Sequence, residues 1–200
     1  MAILPQHDDL SDDPRWRVLH DHEMQCPCCD QTFGGVFDFA FDHPDSWPHG
    51  NRQASGLETL VAGDDRLGTD LCSFGEHRFV KGLLSLDILG SDESFSFGVW
   101  CSLARDNFDA YVSAFGTEAE ADLEPVFGWM SNLLPYYDNR AFLKSQIQFK
   151  GGNARPAVII GDSSCLITQD QQNGISFDTL LDIYAATGND IRPHLERMTQ

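Results

Sequence analysis

At 200 residues, with 42% hydrophobic and 11% aromatic content, the chain can bury one sizeable core, and disorder is excluded as its default state. Its 31 acidic against 13 basic residues give a formal charge of −18, which excludes the clustered Lys and Arg that nucleic-acid binding requires. No apolar run reaches the length of a bilayer span and Met1-Ala2-Ile3-Leu4-Pro5 is no secretory signal, so neither a membrane segment nor export is expected.

In chain order, residues 1–23 read as an acidic arm. Asp8, Asp9, Asp12 and Asp13 make it a surface element, and Trp16, Val18 and Leu19 give it a small apolar anchor. Residues 24–200 read as one α+β domain. Its first part, 24–50, is a cysteine knuckle around Cys26-Pro27-Cys28-Cys29, a short or irregular strand from Phe33 to Phe41, and a loop from His43 to Gly50 whose prolines exclude regular structure. Residues 67–116 are expected to form a meander running into a helix. Asp70 to Phe74 and Arg78 to Val80 flank the turn Gly75-Glu76-His77, and apolar residues then alternate from Leu84 to Ile88 and from Phe95 to Leu103. Helical spacing takes over at Phe108, Tyr111, Val112 and Phe115, with Asp106 or Asn107 as cap and Gly116 as stop.

Thr117-Glu118-Ala119-Glu120 fits a capping box, in which Thr117 accepts from the Glu120 amide and Glu120 reaches back. An aromatic segment from Phe127 to Tyr137 follows. Residues 142–188 are read as strands at Leu143–Phe149 and Pro156–Ile160, turned by Gly151-Gly152-Asn153, and a helix capped by Ser176 and ended by Gly188. The expected architecture is an antiparallel meander sheet with a few helices packed on it and a Cys-containing N-terminal knuckle.

The C-x-x-C spacing of Cys26 and Cys29 lets two thiolates grip one tetrahedral metal, for which zinc is the usual occupant. A closed structural site needs four donors. Cys101 falls on the apolar face of its strand and reads as inert core, so Cys72 and Cys165 are the expected completing ligands, with His22 and His77 behind them. A thiol redox centre is the competing reading of C-P-x-C, but Asp30-Gln31-Thr32-Phe33-Gly34-Gly35 is a poor helix to follow such a motif. His20 and His22, beside Asp21 and Glu23, read either as solvated surface or as metal donors. Asp70 reads as a turn carboxylate or as a group orienting a ligand at Cys72. Nucleophile-elbow, P-loop, dinucleotide and H-E-x-x-H motifs are absent, and Gly34-Gly35 and Gly151-Gly152 are too short to argue for phosphate binding.

The landmarks stand in a fixed order: Cys26-x-x-Cys29, Pro44-Asp45-x-Trp47-Pro48, Asp70-Leu71-Cys72, Phe97-Gly98-Val99-Trp100-x-Ser102-Leu103, Phe127-Gly128-Trp129-Met130-Ser131-Asn132-x-Leu134-Pro135-x-Tyr137, Arg155-Pro156 and Asp170-Gln171-x-x-Gly174-Ile175. In this the chain resembles the uncharacterised bacterial family catalogued as domain of unknown function 2199, over roughly residues 24 to 185. The resemblance implies a shared fold and a bacterial cytoplasmic origin, and no activity. Cys28 is an extra thiol against that pattern. Where the family carries His-Pro-Leu this chain has Cys165-Leu166-Ile167, an exchange that a metal-ligand position or a buried structural position would tolerate.

These readings converge on a zinc-stabilised protein-interaction module. A reducing cytoplasm is the simpler setting for six cysteines of this spacing. The charge suggests either a merely solubilising surface or one that neutralises a basic protein partner, as immunity proteins and antitoxins do. The alternative is a metal-dependent enzyme with an open zinc site built on Cys26, Cys29 and Cys72, with Asp70 nearby.

Overall fold

Local signals start two of the helices, α1 and α4. The structure is a computed structural model that describes residues 9–27, 29–138, 142–152 and 154–199; Asp8 of the expected arm and Asn153 of the expected turn lie outside them. Asp13 accepts a hydrogen bond from the Arg15 amide, and Pro14 opens helix α1 (Pro14–Leu19). Strands β1 (Phe39–Ala40), β2 (Leu60–Ala62), β3 (Asp65–Leu67), β4 (Leu71–Phe74), β5 (His77–Asp87) and β6 (Ser94–Ser102) follow. Helix α2 (Arg105–Ala114) then leads through a 3₁₀ segment at Glu118–Asp122 to β7 (Val126–Met130), β8 (Leu143–Gln148) and β9 (Ala157–Ile160). Helices α3 (Leu166–Asn173), α4 (Phe177–Ala186) and α5 (Arg192–Met198) complete the chain. The class is α+β.

The sheet does not remain an open meander. Antiparallel pairings run β5–β6, β6–β7, β7–β8 and β8–β9, and β9 then returns to β5 in parallel at Leu83↔Ala157, closing a five-stranded barrel. From β5 the strands β4, β3 and β2 continue as an antiparallel flap, while β1 pairs in parallel with β6. Closure depends on the length of β5. The pieces expected at Arg78–Val80 and Leu84–Ile88 are one strand of 11 residues, long enough to serve β4 with its first half and β9 further on. Gly82 sits where β9 approaches: a Cβ there would lie 2.5 Å from Val158 Cγ2 and 2.9 Å from the Pro156 carbonyl oxygen. A closed barrel leaves these strands without exposed edges to template aggregation.

Alternation along β5 and β6 sorts their side chains by face. Leu84, Leu86, Phe95, Phe97, Val99 and Cys101 face the principal core, with Met130, Ile147 and Val158 from the other barrel strands. Phe177, Leu180, Leu181 and Tyr184 of α4 join that core, as do Trp16, Val18 and Leu19 of α1. The Ser176 hydroxyl caps α4 by accepting from the Thr179 amide. The opposite face of β5 and β6 carries a second cluster, in which Trp47, Leu67, Cys72, Phe79 and Trp100 pack between the barrel and the flap.

Sequence landmarks meet beside that second cluster. The Trp100 amide donates to Asn132 Oδ1 at 2.8 Å, and Asn132 Nδ2 donates to Asp45 Oδ1 at 2.8 Å and to the His43 carbonyl at 3.1 Å. The Leu133 amide donates to Asp45 Oδ2 at 2.8 Å. One buried asparagine thus fastens the prolyl loop to the end of β6.

Local details depart from the periodicity. Helix α2 buries Phe108, Tyr111 and Ala114, leaving Val112 and Phe115 exposed, because Tyr111 stacks on Phe149 with ring centroids 4.8 Å apart. Its cap is Ala104 with no side-chain hydrogen bond, since the chain enters the helix directly from β6, and neither Asp106 nor Asn107 takes that place. The capping box is half-formed. Glu120 does reach back, but its Oε2 accepts from the Gly116 amide at 3.2 Å, and the Thr117 hydroxyl donates to the Ala114 carbonyl. The tighter 3₁₀ turn shifts the reciprocal pair out of register.

Candidate metal centre

The knuckle is a small hairpin. Gln25 and Thr32 form an antiparallel bridge, the Cys26 amide donates to the Gln31 carbonyl at 2.9 Å, and the Asp30 amide returns to the Cys26 carbonyl at 2.9 Å. Asp30 takes the left-handed conformation with φ 58°, which Asp tolerates better than most residues and which turns the chain back after Cys29. The two sulfurs are thereby presented to one side.

The third donor comes from the far end of the chain. His194 lies in the first turn of α5, a helix opened by Arg192 and Pro193 and anchored by the fully buried Leu195. Its Nδ1 is 3.2 Å from Cys26 Sγ and 3.5 Å from Cys29 Sγ, and the three donor atoms all lie within 4.8 Å of one another. Metal bonds of about 2.3 Å to sulfur and 2.0 Å to nitrogen, at tetrahedral angles, put the donors roughly 3.5 Å apart. The spacing fits one shared ion, with Cys26 buried, Cys29 exposed and His194 in between.

The structure brings together two of the four expected ligands and supplies one that was not expected. Cys72 belongs to the second cluster, 1% exposed between Trp47, Leu67, Phe79 and Trp100, and burial pushes its thiol up to about 12. Cys165 precedes α3 and packs against the principal core. Neither joins the Cys26–Cys29–His194 group, and Cys28 lies outside the described residues. Cys101 is core, as its strand position indicated, and burial pushes it up to about 12 as well.

The histidines weighed as donors in the sequence have other neighbours. His20 Nε2 pairs with Glu93 at 2.7 Å, its Nδ1 meets the Trp16 carbonyl at 2.8 Å, and its ring packs on Trp16. His22 flanks Gly34, and His77 packs between Phe74 and Phe79. Asp70 pairs with Arg155 Nε at 2.5 Å and orients no thiol. Sequence reasoning missed His194 because the pattern was followed only to Gly188. The signal was Arg192-Pro193-His194-Leu195, a proline-opened helical turn with an imidazole in it.

Away from the knuckle, the outer face of β7 is bare. Phe127 is 55% and Trp129 39% exposed, their rings edge to face at 5.2 Å, and Phe142 beside them is 54% exposed. Beneath them runs an apolar groove of about 560 Å³ lined by Ser46, His77, Phe79, Ser102, Trp129 and Phe142.

Residues 25–175 match the profile of a family described as an uncharacterized protein conserved in bacteria (DUF2199). The chain belongs to that family. Cys26 and Cys29 lie inside the span matched to DUF2199, whereas His194 and helices α4 and α5 lie beyond it. No curated protein and no solved structure matches the chain. No helix among the described residues is long and apolar enough to cross a membrane.

Proposed function

We propose that Cys26, Cys29 and His194 bind a zinc ion that clamps the N-terminal knuckle to the C-terminal helix, and that the protein so stabilised works by contact with a basic protein rather than by catalysis. The observation that carries this reading is the convergence of three soft or borderline donors from opposite ends of the chain, His194 standing 168 residues after Cys26. Sulfur and imidazole donors favour zinc over the hard cations. An ion held this way closes a loop of nearly the whole chain, which stabilises the fold by restricting the unfolded state. No disulfide joins two of the described cysteines, which supports a reducing, cytoplasmic setting.

For the contact role, support comes from the −18 charge together with the bare aromatic face. Acidic surroundings draw a basic partner in, and exposed Trp129 and Phe127 rings offer flat surfaces on which arginine side chains stack. Metal analysis of protein purified without chelator tests the clamp: about one equivalent of zinc is expected, and less than about a tenth overturns it. Affinity capture tests the contact role. A basic protein retained at low salt and released as ionic strength rises is expected, and capture indifferent to salt counts against it.

One observation favours a second reading. Cys29 is exposed, so an ion held there has a face open to water, as a catalytic zinc requires. X-ray absorption on the zinc-loaded protein separates the two. A shell of sulfur and nitrogen alone supports the clamp, and an exchangeable oxygen supports the open site.

A further inference from the structure

One sulfur of the knuckle faces solvent. Among the described cysteines Cys29 alone is exposed; Cys26, Cys72 and Cys101 are buried and Cys165 is half-buried. Burial holds Cys72 and Cys101 as neutral thiols, each pushed up to about 12, and a neutral thiol is a poor nucleophile. An oxidant arriving from solvent therefore meets Cys29 first.

A second sulfur stands within reach of it. The Cys29 amide donates to the Cys26 carbonyl at 3.3 Å, the hydrogen bond that closes a four-residue turn. Such a turn brings its first and last Cα within about 7 Å of each other. A disulfide spans Cα separations of about 4.4–6.8 Å. The two Sγ atoms already lie within 4.8 Å of one another, so side-chain rotation suffices to join them.

Both sulfurs face one imidazole. His194 Nδ1 lies 3.2 Å from Cys26 Sγ and 3.5 Å from Cys29 Sγ. Once the sulfurs are bonded to each other, that imidazole is the one donor left of the three, and a single imidazole does not make a zinc site. Helix α5 keeps Ile191 and Leu195 in the core and its packing on α1. What is released is the tie between the knuckle and the helix, while the helix stays docked.

We propose that Cys26 and Cys29 form a redox switch on the clamp, in which a peroxide converts the pair to a disulfide, expels the zinc and frees the knuckle from α5. The inference rests on the zinc clamp proposed above and gives that site its regulation. The Cys29 thiolate attacks one oxygen of hydrogen peroxide: an S–O bond forms, the O–O bond breaks and hydroxide leaves, so Cys29 becomes a sulfenic acid. The Cys26 thiolate then attacks the Cys29 sulfur: the S–S bond forms, the S–O bond breaks and a second hydroxide leaves. The two sulfurs give up two electrons, the peroxide takes them, and solvent protons turn both hydroxides into water. A dithiol reductant reverses the step by thiol–disulfide exchange and lets the metal return. In a reducing compartment the pair rests as thiolates, so the clamp holds until peroxide rises.

The experiment takes the full chain loaded with zinc, measures the bound metal, and adds hydrogen peroxide in the presence of a chromogenic chelator, with a peroxide-free control. Release of about one equivalent of zinc is expected, in step with the loss of two thiols, and mass mapping should place the disulfide between Cys26 and Cys29. The melting temperature should fall to that of chelated protein, and dithiothreitol followed by zinc should restore it. Cys28→Ser should release zinc as the wild type does. His194→Ala should still form the disulfide, with no change in melting temperature, since it has no clamp to lose. Should His194→Ala fail to fold, the mapped disulfide and the zinc release of the wild type still decide. Zinc retained under peroxide, or released without a Cys26–Cys29 disulfide, overturns the switch and leaves the clamp standing. A chain that takes up no zinc at the outset overturns the clamp and the switch with it.

Discussion

Cys26 Sγ and His194 Nδ1 stand 3.2 Å apart although 168 residues separate them. Nothing in the local hairpin of the knuckle requires that approach; helix α5, packed against α1 and sunk into the core by Leu195, delivers the imidazole. The knuckle and the last helix therefore share a site that neither could form alone.

The clamp gives the first prediction. Cys29→Ser and His194→Ala should each lower the melting temperature of the zinc-loaded protein by about 5 °C or more, as a loss of a few kcal/mol does in a chain of this size. Chelated protein should show little of that difference, because the ligand has nothing to hold. Cys72→Val should leave the zinc content unchanged, its thiol being core. Zinc content and melting temperature measured with and without chelator check all three, and a Cys72 variant that loses metal would return that residue to the site.

Asn132 gives the second. Replacing it with leucine removes the acceptor of the Trp100 amide and the donor to Asp45 while keeping the volume roughly constant. A buried amide left without an acceptor costs about 1–3 kcal/mol. Urea unfolding should show that loss in full, and Asp45→Asn, which keeps one side-chain acceptor for the Asn132 amide, should show less. Equal losses would mean that the ion-like Asp45 contact and not the Trp100 amide dominates.

Period and punctuation disclosed two pieces of β5, the strands β6, β8 and β9, and the Ser176-capped helix, because apolar residues recur along each at the spacing of its element. What they could not disclose is which strand finds which. Closure of the barrel depends on Leu83 meeting Ala157, a contact across 74 positions that leaves only a glycine, Gly82, as its local trace. The site was half legible for the same reason. Cys26 and Cys29 announce themselves by spacing, whereas His194 joins them only because a distant helix docks beside them. Cys72 and Cys165 looked eligible by residue type, and type says nothing about the Trp100 and Trp47 rings that enclose Cys72.

The bare face of β7 gives the third prediction. Trp129→Ala and Phe142→Ala remove exposed rings, so the melting temperature should move by no more than about 2 °C, since surface substitutions away from special features cost little. Capture of the basic partner should fall at least tenfold, the usual cost of removing an aromatic anchor. Unchanged capture in the double variant would place the contact elsewhere on the acidic surface.

The last prediction concerns Lys81 and pH. Burial, helped by the Arg155 charge, pulls its ammonium from 10.5 down to about 8, while Asp70 and Asp42 oppose that pull and Arg52 adds to it. Between those two values the unfolded chain holds the proton and the folded chain has lost it, so this group makes stability rise with pH across that window. Below it the folded protein carries a buried charge at a cost on the order of 3 kcal/mol. Lys81→Met removes the cost, so in buffer free of phosphate and carboxylate the variant should be the more stable chain at neutral pH, with the gap shrinking as pH rises towards 10.5. Cys72, Cys101, Tyr111, Tyr137 and Tyr184, all raised by burial, titrate in both chains and cancel in the difference. Urea unfolding of both chains at several pH values measures that gap directly. A gap independent of pH would mean that Lys81 holds its proton equally well folded and unfolded, so that burial does not lower its proton affinity.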